Sequence, residues 1–302
     1  GYAMQQYGTF VEKGIERVHP MAPAQNYPGV IASEVAIQFG IRGPALTIST
    51  ACTSGADAIG LALSQLRAGV VDVAIAGASE APLFPALYAS FDRLGLMSRW
   101  QGDPAEACRP FSRSRDGLVL SEGAAVCILE TAASAEARPA TMLAELAGFA
   151  ATSDAYHHFH QLPSGEEAAR AIQEALDDAG VDPADVDYVS AHGTGTTSND
   201  AVETQVIKMT FGARAPVLPV SSIKSMMGHT MGASGAFALI ACVKALNDGY
   251  LPPTINLHDR DPACDLDYVP NVARPAAVRT VVSNTFGFGS RNAVLVIKAF
   301  DS

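Results

Sequence analysis

Two patterns of apolar and polar positions alternate along this chain. Continuous apolar runs, which are typical of strands buried inside a sheet, occur at residues 71–76, 124–129, 142–151, 186–191, 217–221, 280–285 and 293–300. Segments with helical periodicity separate them, at residues 57–67, 166–179, 200–211 and 230–247. Strands that alternate with helices predict an α/β layered sandwich.

Composition agrees with a large buried core. Hydrophobic residues make up 48% of the 302 residues and charged residues only 17%. The net charge of −11, with no basic run to offset it, argues against a nucleic-acid-binding protein. We find no secretory signal and no apolar run long enough to span a membrane, so we expect a soluble cytoplasmic protein.

The five cysteines are scattered and lack the spacing of disulfide pairs or metal ligands, which is typical of reduced thiols in the cytosol. They are Cys52, Cys108, Cys127, Cys242 and Cys264. One of them has an unusual setting, because Cys52 lies between an apolar, β-rich run at residues 45–50 and the predicted helix at 57–67. A cysteine at a strand-to-helix junction places its sulfur at the positive end of a helix, where a thiolate is favoured. By itself such a residue is more often a small buried side chain without chemistry.

Three further motifs bear on whether Cys52 is reactive or only a buried side chain. They are AHGTGT at 191–196, which contains His192; SIKSMMGH at 222–229, which contains Lys224 and His229; and NTFGFGSRN at 284–292. Each histidine lies among glycines or threonines after a predicted strand, whereas a lone histidine is more often a surface or structural residue. Together with TACTSG at 50–55, these motifs favour a chemical role for Cys52 over a purely structural one.

In this order the motifs resemble the β-ketoacyl synthases, the condensing enzymes of fatty-acid and polyketide assembly, and especially the discrete (type II), carrier-dependent kind. The match runs from about residue 20 to the C-terminus. The resemblance implies a thiolase-like layered α-β-α sandwich with duplicated half-repeats, approximately 1–140 with the nucleophile and 141–302 with the histidines. Family members have several elements before the nucleophile, but 51 residues precede Cys52, so we expect the first half to be incomplete.

A weak internal repeat is consistent with the duplication. A strand, a short loop, Cys52 and a helix in the first half correspond to a strand, a loop, His229 and a helix in the second. Gly55 lies three residues after Cys52, and Gly232 lies three residues after His229. The repeat predicts two helix N-termini that face one pocket.

The resemblance also implies roles in catalysis. Cys52 would hold the acyl group as a thioester, and its backbone N–H with that of Phe288 would form the oxyanion hole. Phe288 would act as a gate between the cysteine and the acyl pocket. His192 and His229 would donate hydrogen bonds to the thioester oxygen of a malonyl unit as it loses carbon dioxide.

Other positions would support this chemistry. Thr194 and Thr196 match the family's contacts to the phosphopantetheine arm. Lys224 would orient the site and complement its negative charge. The family usually has a glutamate partner for this lysine nine residues after the second histidine, but Ala238 occupies that position. Because a buried lysine without a partner is costly, we expect a carboxylate on the helix after His192 to be that partner, with Glu203 favoured over Asp200.

The implied reaction is decarboxylative Claisen condensation with malonyl-acyl carrier protein. We expect no cofactor beyond the phosphopantetheine that the carrier protein brings, and no nucleic-acid or membrane partner. The implied partners are acyl carrier protein and a second copy or a related chain, in a homodimer or heterodimer paired across residues 71–76.

Other classes fit less well. A thiolase needs a second catalytic cysteine near the C-terminal glycine loop, and none is present. A chalcone-synthase-like enzyme has asparagine where His229 stands, and a metal hydrolase needs closely spaced histidine ligands. A non-catalytic partner subunit similar to a chain-length factor stays open, because Ala238 departs from the catalytic pattern.

Overall fold

The computed structural model describes residues 1–300 and contains two compact units, Gly1–Ser49 and Thr50–Ser302. Within the first unit the chain forms three helices, α1 (Tyr2–Lys13), α2 (Ala22–Asn26) and α3 (Val30–Phe39). The strand predicted over residues 45–50 is wrong, since no strand includes these residues. Leu46 in this run is 57% exposed, so the apolar pattern here reflects no buried sheet position.

The second unit alternates strands and helices as predicted. Its helices are α4 (Ser54–Arg67), α5 (Pro85–Arg93), α6 (Ala132–Glu136), α7 (Glu166–Ala179), α8 (Thr197–Phe211), α9 (Lys224–Met227) and α10 (Ser234–Asp248). Its strands are β1 (Val73–Glu80), β2 (Gly123–Glu130), β3 (Glu145–Ser153), β4 (Tyr188–Ser190), β5 (Val220–Ser221), β6 (Tyr250–Leu251), β7 (Arg274–Pro275), β8 (Thr280–Gly287) and β9 (Arg291–Lys298).

A mixed five-stranded sheet forms the centre of this unit, with the strand order β3-β9-β8-β4-β5. Strand β4 is parallel to β5 and β8, whereas β8 and β9 form an antiparallel pair. Every residue of β4 is buried, and so are most residues of β8 and β9, which confirms the interpretation of their apolar runs. Because β4 and β5 end at the same edge, the loops that follow them emerge side by side.

The second sheet consists of β1 and β2, which pair antiparallel from Val73 with Glu130 to Glu80 with Gly123. The prediction that the apolar run at 71–76 is buried on both faces is wrong. One face of this sheet packs against helices, but Ile75 is 42% exposed and Ile128 is 67% exposed on the other. A continuous apolar run therefore did not distinguish a strand covered on both faces from one covered on a single face.

Helices α4 and α10 lie between the two sheets, and each contacts strands of both. Both begin with Ser-Gly-Ala, and their contact is reciprocal. A Cβ on Gly55 would lie 3.0 Å from the Ala236 nitrogen, and one on Gly235 would lie 2.7 Å from the Ala56 nitrogen. The internal repeat is therefore in a different register from the predicted one, since Gly55 corresponds to Gly235. Helix α7 packs on the opposite face of the five-stranded sheet, against β3 and β9.

Candidate active site

Cys52 lies in a tight turn just before α4 and is only 3% exposed. The preceding residue, Ala51, has a φ of 58°, a left-handed conformation that is uncommon for residues other than glycine. Side-chain hydrogen bonds stabilise the turn, because Ser54 Oγ donates to the Ala51 carbonyl at 2.7 Å and accepts from the Thr50 N–H at 2.9 Å. The turn directs Cys52 into the interior at the N-terminus of the helix.

Burial has the largest influence on the acidity of this thiol. The pKa of Cys52 is raised to about 11, first by burial, while Lys224 and two backbone N–H groups act in the opposite direction. The position of Cys52 at a helix N-terminus therefore does not by itself make it a thiolate. At neutral pH Cys52 is a thiol, and it must lose its proton as it reacts.

Those two N–H groups belong to Cys52 itself and to Phe288, and both interact with the Cys52 sulfur. The loop that carries Phe288 approaches the nucleophile closely, because a Cβ on Gly287 would lie 3.3 Å from the Cys52 nitrogen. The ring of Phe288 stacks on Phe91 with 6.0 Å between centroids, and Phe159 meets it edge-on at 5.6 Å. The donors predicted for the oxyanion hole are thus present on one side of the thiol.

The two predicted histidines come together beside Cys52. His192 follows β4, His229 follows α9, and their rings meet edge-on with centroids 5.3 Å apart. Burial is the main cause that lowers the pKa of each ring well below its ordinary value, and the positive charge of Lys224 lowers both further. Both imidazoles are therefore neutral at pH 7, and each has one N–H to donate.

Lys224 is 4% exposed and contacts His192 twice. Its Nζ donates to the His192 carbonyl at 2.6 Å and lies 3.4 Å from His192 Nδ1. Because an ammonium group has donors only, Nδ1 must be the acceptor, which leaves the proton of His192 on Nε2. His229 has no such partner, since its Nδ1 is buried without a hydrogen bond among the described residues.

The proposed pairing of Glu203 with Lys224 is not a direct contact. No carboxylate among residues 1–300 lies within ion-pair distance of Lys224, although Glu203 is the first of the charges that raise the lysine's pKa against burial. Glu203 instead accepts the backbone N–H groups of His192 at 2.8 Å and Gly193 at 2.7 Å. Burial raises its pKa to about 7 despite these donors. Glu203 thus holds the peptide whose carbonyl Lys224 binds.

One pocket contains most of the predicted site residues. It encloses about 560 Å³, including its open mouth. Cys52, both histidines, Thr194, Thr196 and Phe288 line it. The two threonines form a polar strip, since their hydroxyls are 3.0 Å apart and Thr196 also caps α8. The pocket therefore brings the nucleophile, two neutral donors and a polar approach together.

Several lining residues were missed by the sequence interpretation: Leu96, Leu118, Phe159, His160, Gln161, Ser198 and Asn199. For Ser198 and Asn199 a signal existed, because they follow Thr196 in the first turn of α8. Phe159 and its neighbours belong to a loop with no periodic pattern, so only the three-dimensional structure places them at the pocket. No cluster of three or more potential metal ligands occurs among residues 1–300. No helix in the same range is long and apolar enough to cross a membrane.

Comparisons with known proteins agree with this geometry. The family model for the β-ketoacyl synthase N-terminal domain matches residues 1–135, and the model for the C-terminal domain matches residues 143–258. The chain is 42% identical over 292 residues to 3-oxoacyl-[acyl-carrier-protein] synthase 2 of Staphylococcus aureus, covering 97% of this chain and 70% of that protein. It is 47% identical over 270 residues to the tetracenomycin polyketide synthase ketoacyl synthase alpha subunit of Streptomyces glaucescens, covering 89% and 63%.

Solved structures give the same result. A type II polyketide ketosynthase bound to a hexaketide, in complex with its acyl-carrier protein, superimposes with a TM-score of 0.95 at 37% identity, covering 99% of this chain and 75% of that one. The ishigamide ketosynthase/chain length factor gives 0.92 at 36% identity, covering 99% and 72%.

The chain belongs to the β-ketoacyl synthase family and has its thiolase-like fold. It spans between 58% and 64% of the length of the first five curated polyketide relatives.

Proposed function

We propose that this chain catalyses decarboxylative Claisen condensation between an acyl group on Cys52 and malonyl-acyl carrier protein. The observation that carries the proposal is the single pocket in which Cys52, His192 and His229 meet. A buried thiol with two backbone donors suits acyl transfer, and two neutral imidazoles suit an enolate.

In the first step the Cys52 sulfur attacks the carbonyl carbon of an incoming acyl thioester. The N–H groups of Cys52 and Phe288 stabilise the negative oxygen of the tetrahedral intermediate. The thioester C–S bond then breaks, and the departing arm thiol takes the proton that Cys52 loses. The high pKa of Cys52 means that proton loss accompanies attack rather than preceding it.

In the second step malonyl-carrier thioester loses its carboxylate as carbon dioxide. The electron pair of the broken C–C bond forms an enolate, whose oxygen accepts hydrogen bonds from His192 Nε2–H and from His229. Lys224 keeps the proton of His192 on the nitrogen that donates. Removing one such donor costs a factor of about 100 to 1,000 in rate.

In the last step the enolate carbon attacks the acyl carbon on Cys52. The new C–C bond gives a tetrahedral oxyanion, which the same two backbone donors stabilise, and its collapse breaks the C–S bond to Cys52. Cys52 leaves as a thiolate and takes a proton from water, while the β-ketoacyl product stays on the carrier. All atoms and charges then balance without a metal or redox cofactor.

The same proposal covers partners and location. Relatives in the solved structures are described as complexes with an acyl-carrier protein or with a chain length factor. We infer that this chain accepts an acyl carrier protein, whose phosphopantetheine arm reaches Cys52 past Thr194 and Thr196. We also infer pairing with a second copy or a related chain, and a cytoplasmic location.

Mass spectrometry of the intact protein tests the proposal. Acyl-loaded carrier protein should add one acyl group to Cys52, and malonyl-carrier should then give carbon dioxide and a β-ketoacyl carrier. His192→Ala and His229→Ala should keep acylation but lose decarboxylation by about 100-fold or more. His258→Ala is the matched control, because His258 is exposed and does not line the pocket.

The outcomes separate the candidate functions. Acylation of other thiols ahead of Cys52 would refute the nucleophile assignment, and decarboxylation at the wild-type rate in a histidine variant would make that histidine structural. A chain that joins a separate ketosynthase, yet is neither acylated nor able to decarboxylate malonyl-carrier, would instead be a non-catalytic partner subunit.

A further inference from the structure

Two residues beside the nucleophile, Thr53 and Asp57, form a small, partly buried network that the chemistry above does not use. Thr53 is fully buried, and its hydroxyl donates to Asp57 Oδ2 at 2.8 Å and lies 2.8 Å from the Thr50 carbonyl. The same carboxylate oxygen accepts the hydroxyl of Thr50. One atom of Asp57 therefore joins the residues on both sides of Cys52.

The network closes a turn that is otherwise strained. Ala51, between Thr50 and Cys52, has the left-handed φ of 58°, which is unfavourable for a residue with a Cβ. Such a conformation persists only where its surroundings hold it. Asp57, in the first turn of α4, holds both ends of the turn in place.

Thr53 has a second contact, which reaches the opposite side of the site. A Cβ on Gly287 would lie 3.4 Å from Thr53 Cγ2 and 3.3 Å from the Cys52 nitrogen. Gly287 therefore faces the Thr53 methyl group and the Cys52 backbone, with room for about one carbon atom between them. The next N–H along the chain is that of Phe288, which interacts with the Cys52 sulfur.

These contacts form a continuous chain from a charged side chain to a catalytic donor. Asp57 fixes the rotamer of Thr53, because a β-branched side chain with its hydroxyl bound has one position left for its methyl group. The methyl group limits how closely Gly287 can approach, and the position of Gly287 sets that of the Phe288 N–H. We propose that Asp57 and Thr53 are positioning residues that set the spacing of the two oxyanion-hole donors. This inference rests on the proposed acyl transfer to Cys52.

Two reactions of the same thiol test the role. Transfer of a hexanoyl group from its N-acetylcysteamine thioester passes through a tetrahedral oxyanion, whereas alkylation by iodoacetamide does not. Misplaced donors should therefore slow acyl transfer and leave alkylation unchanged. A general loss of structure would change both rates together.

Four variants separate the parts of the network. Thr53→Val keeps the shape but removes the hydroxyl, and Asp57→Ala removes the acceptor, so each should slow acyl transfer about 10- to 100-fold with alkylation within twofold. Asp57→Asn retains an acceptor oxygen and should restore acyl transfer to within about threefold of wild type. Thr210→Val is the matched control, because the Thr210 hydroxyl bonds only the Val206 carbonyl within its own helix.

Either of two results would overturn the inference. If Thr53→Val and Asp57→Ala transfer the acyl group at the wild-type rate, or lose both reactions in the same proportion, the two residues do not position the donors. Should Thr53→Val not fold, the comparison of Asp57→Ala with Asp57→Asn decides the question. A wild-type protein that is alkylated at Cys52 but never acylated would refute the proposed function itself and this inference with it.

Discussion

Gly235→Ala tests whether the contact between α4 and α10 sets the position of the nucleophile. The new Cβ would lie 2.7 Å from the Ala56 nitrogen and 2.9 Å from the Ala56 Cβ. Carbon and nitrogen atoms in contact are ordinarily about 3.5 Å apart, so the helices must separate by roughly 0.8 Å. Ala56 lies four residues after Cys52, so the thiol should move with its helix.

Two free-energy terms act in opposite directions in this variant. Overpacking of a close contact costs about 1–3 kcal/mol, whereas replacing glycine by alanine inside a helix gains about 1 kcal/mol. Gly8→Ala isolates the second term, since Gly8 lies within α1 and a Cβ there has nothing within 4 Å. We therefore expect Gly235→Ala to be about 1–3 kcal/mol less stable than Gly8→Ala.

Urea unfolding measures the difference in stability, and acylation of Cys52 measures the displacement. A misplacement approaching 1 Å costs about 100-fold in rate, so acylation should fall far more than the loss of folded protein explains. If Gly235→Ala is as stable as Gly8→Ala and is acylated at the wild-type rate, the contact does not position Cys52 and our account of the site is incorrect.

Three further predictions concern charges and protons in the site. Because the pKa of Cys52 is about 11, its alkylation rate should rise about tenfold per pH unit between pH 7 and 10; a plateau near pH 7 would contradict this. Lys224→Met should slow decarboxylation about 100-fold while Cys52 acylation persists, because His192 loses the partner that fixes its tautomer; equal loss of both reactions would count against that role. Glu203→Gln should lower the free energy of unfolding by about 1–3 kcal/mol in urea titrations, since an amide offers one acceptor oxygen where two backbone N–H groups need one each; unchanged stability would show that the loop does not depend on the carboxylate.

The strands of the central sheet could be predicted from the sequence because full burial imposes a continuous apolar pattern. Residues 280–285 and 293–300 became β8 and β9 with shifts of two residues or fewer at each end. The run at 71–76 has the same pattern, yet β1 leaves one face exposed. An apolar side chain favours burial, but whether a strand is buried on one face or on both depends on how many layers pack against its sheet.

The candidate site was predictable to a similar degree. The convergence of Cys52, His192 and His229 followed from motifs in family order, and the structure places all three in one pocket. The raised pKa of Cys52 could not be predicted from the sequence. A sequence can indicate where a helix begins, but it does not show how deeply a side chain is buried. The hydrogen-bond partners of Glu203 could not be predicted from the sequence either. The spacing of residues along α8 does not show whether its carboxylate meets an ammonium group or two backbone N–H groups.

The contact between Ser-Gly-Ala segments explains why the chemistry lies where it does. Each segment opens a helix, and a glycine in each lets the two helices approach to the distance at which their N-terminal turns touch. Cys52 precedes one helix and His229 precedes the other, so a single contact fixes the distance between the acyl group and one enolate donor. The side chains of Lys224 and Glu203 instead form hydrogen bonds with His192, Lys224 with its carbonyl and Glu203 with its N–H. A disturbance of the helix contact should therefore impair acylation and decarboxylation together, whereas a disturbance of the lysine should impair decarboxylation far more than acylation.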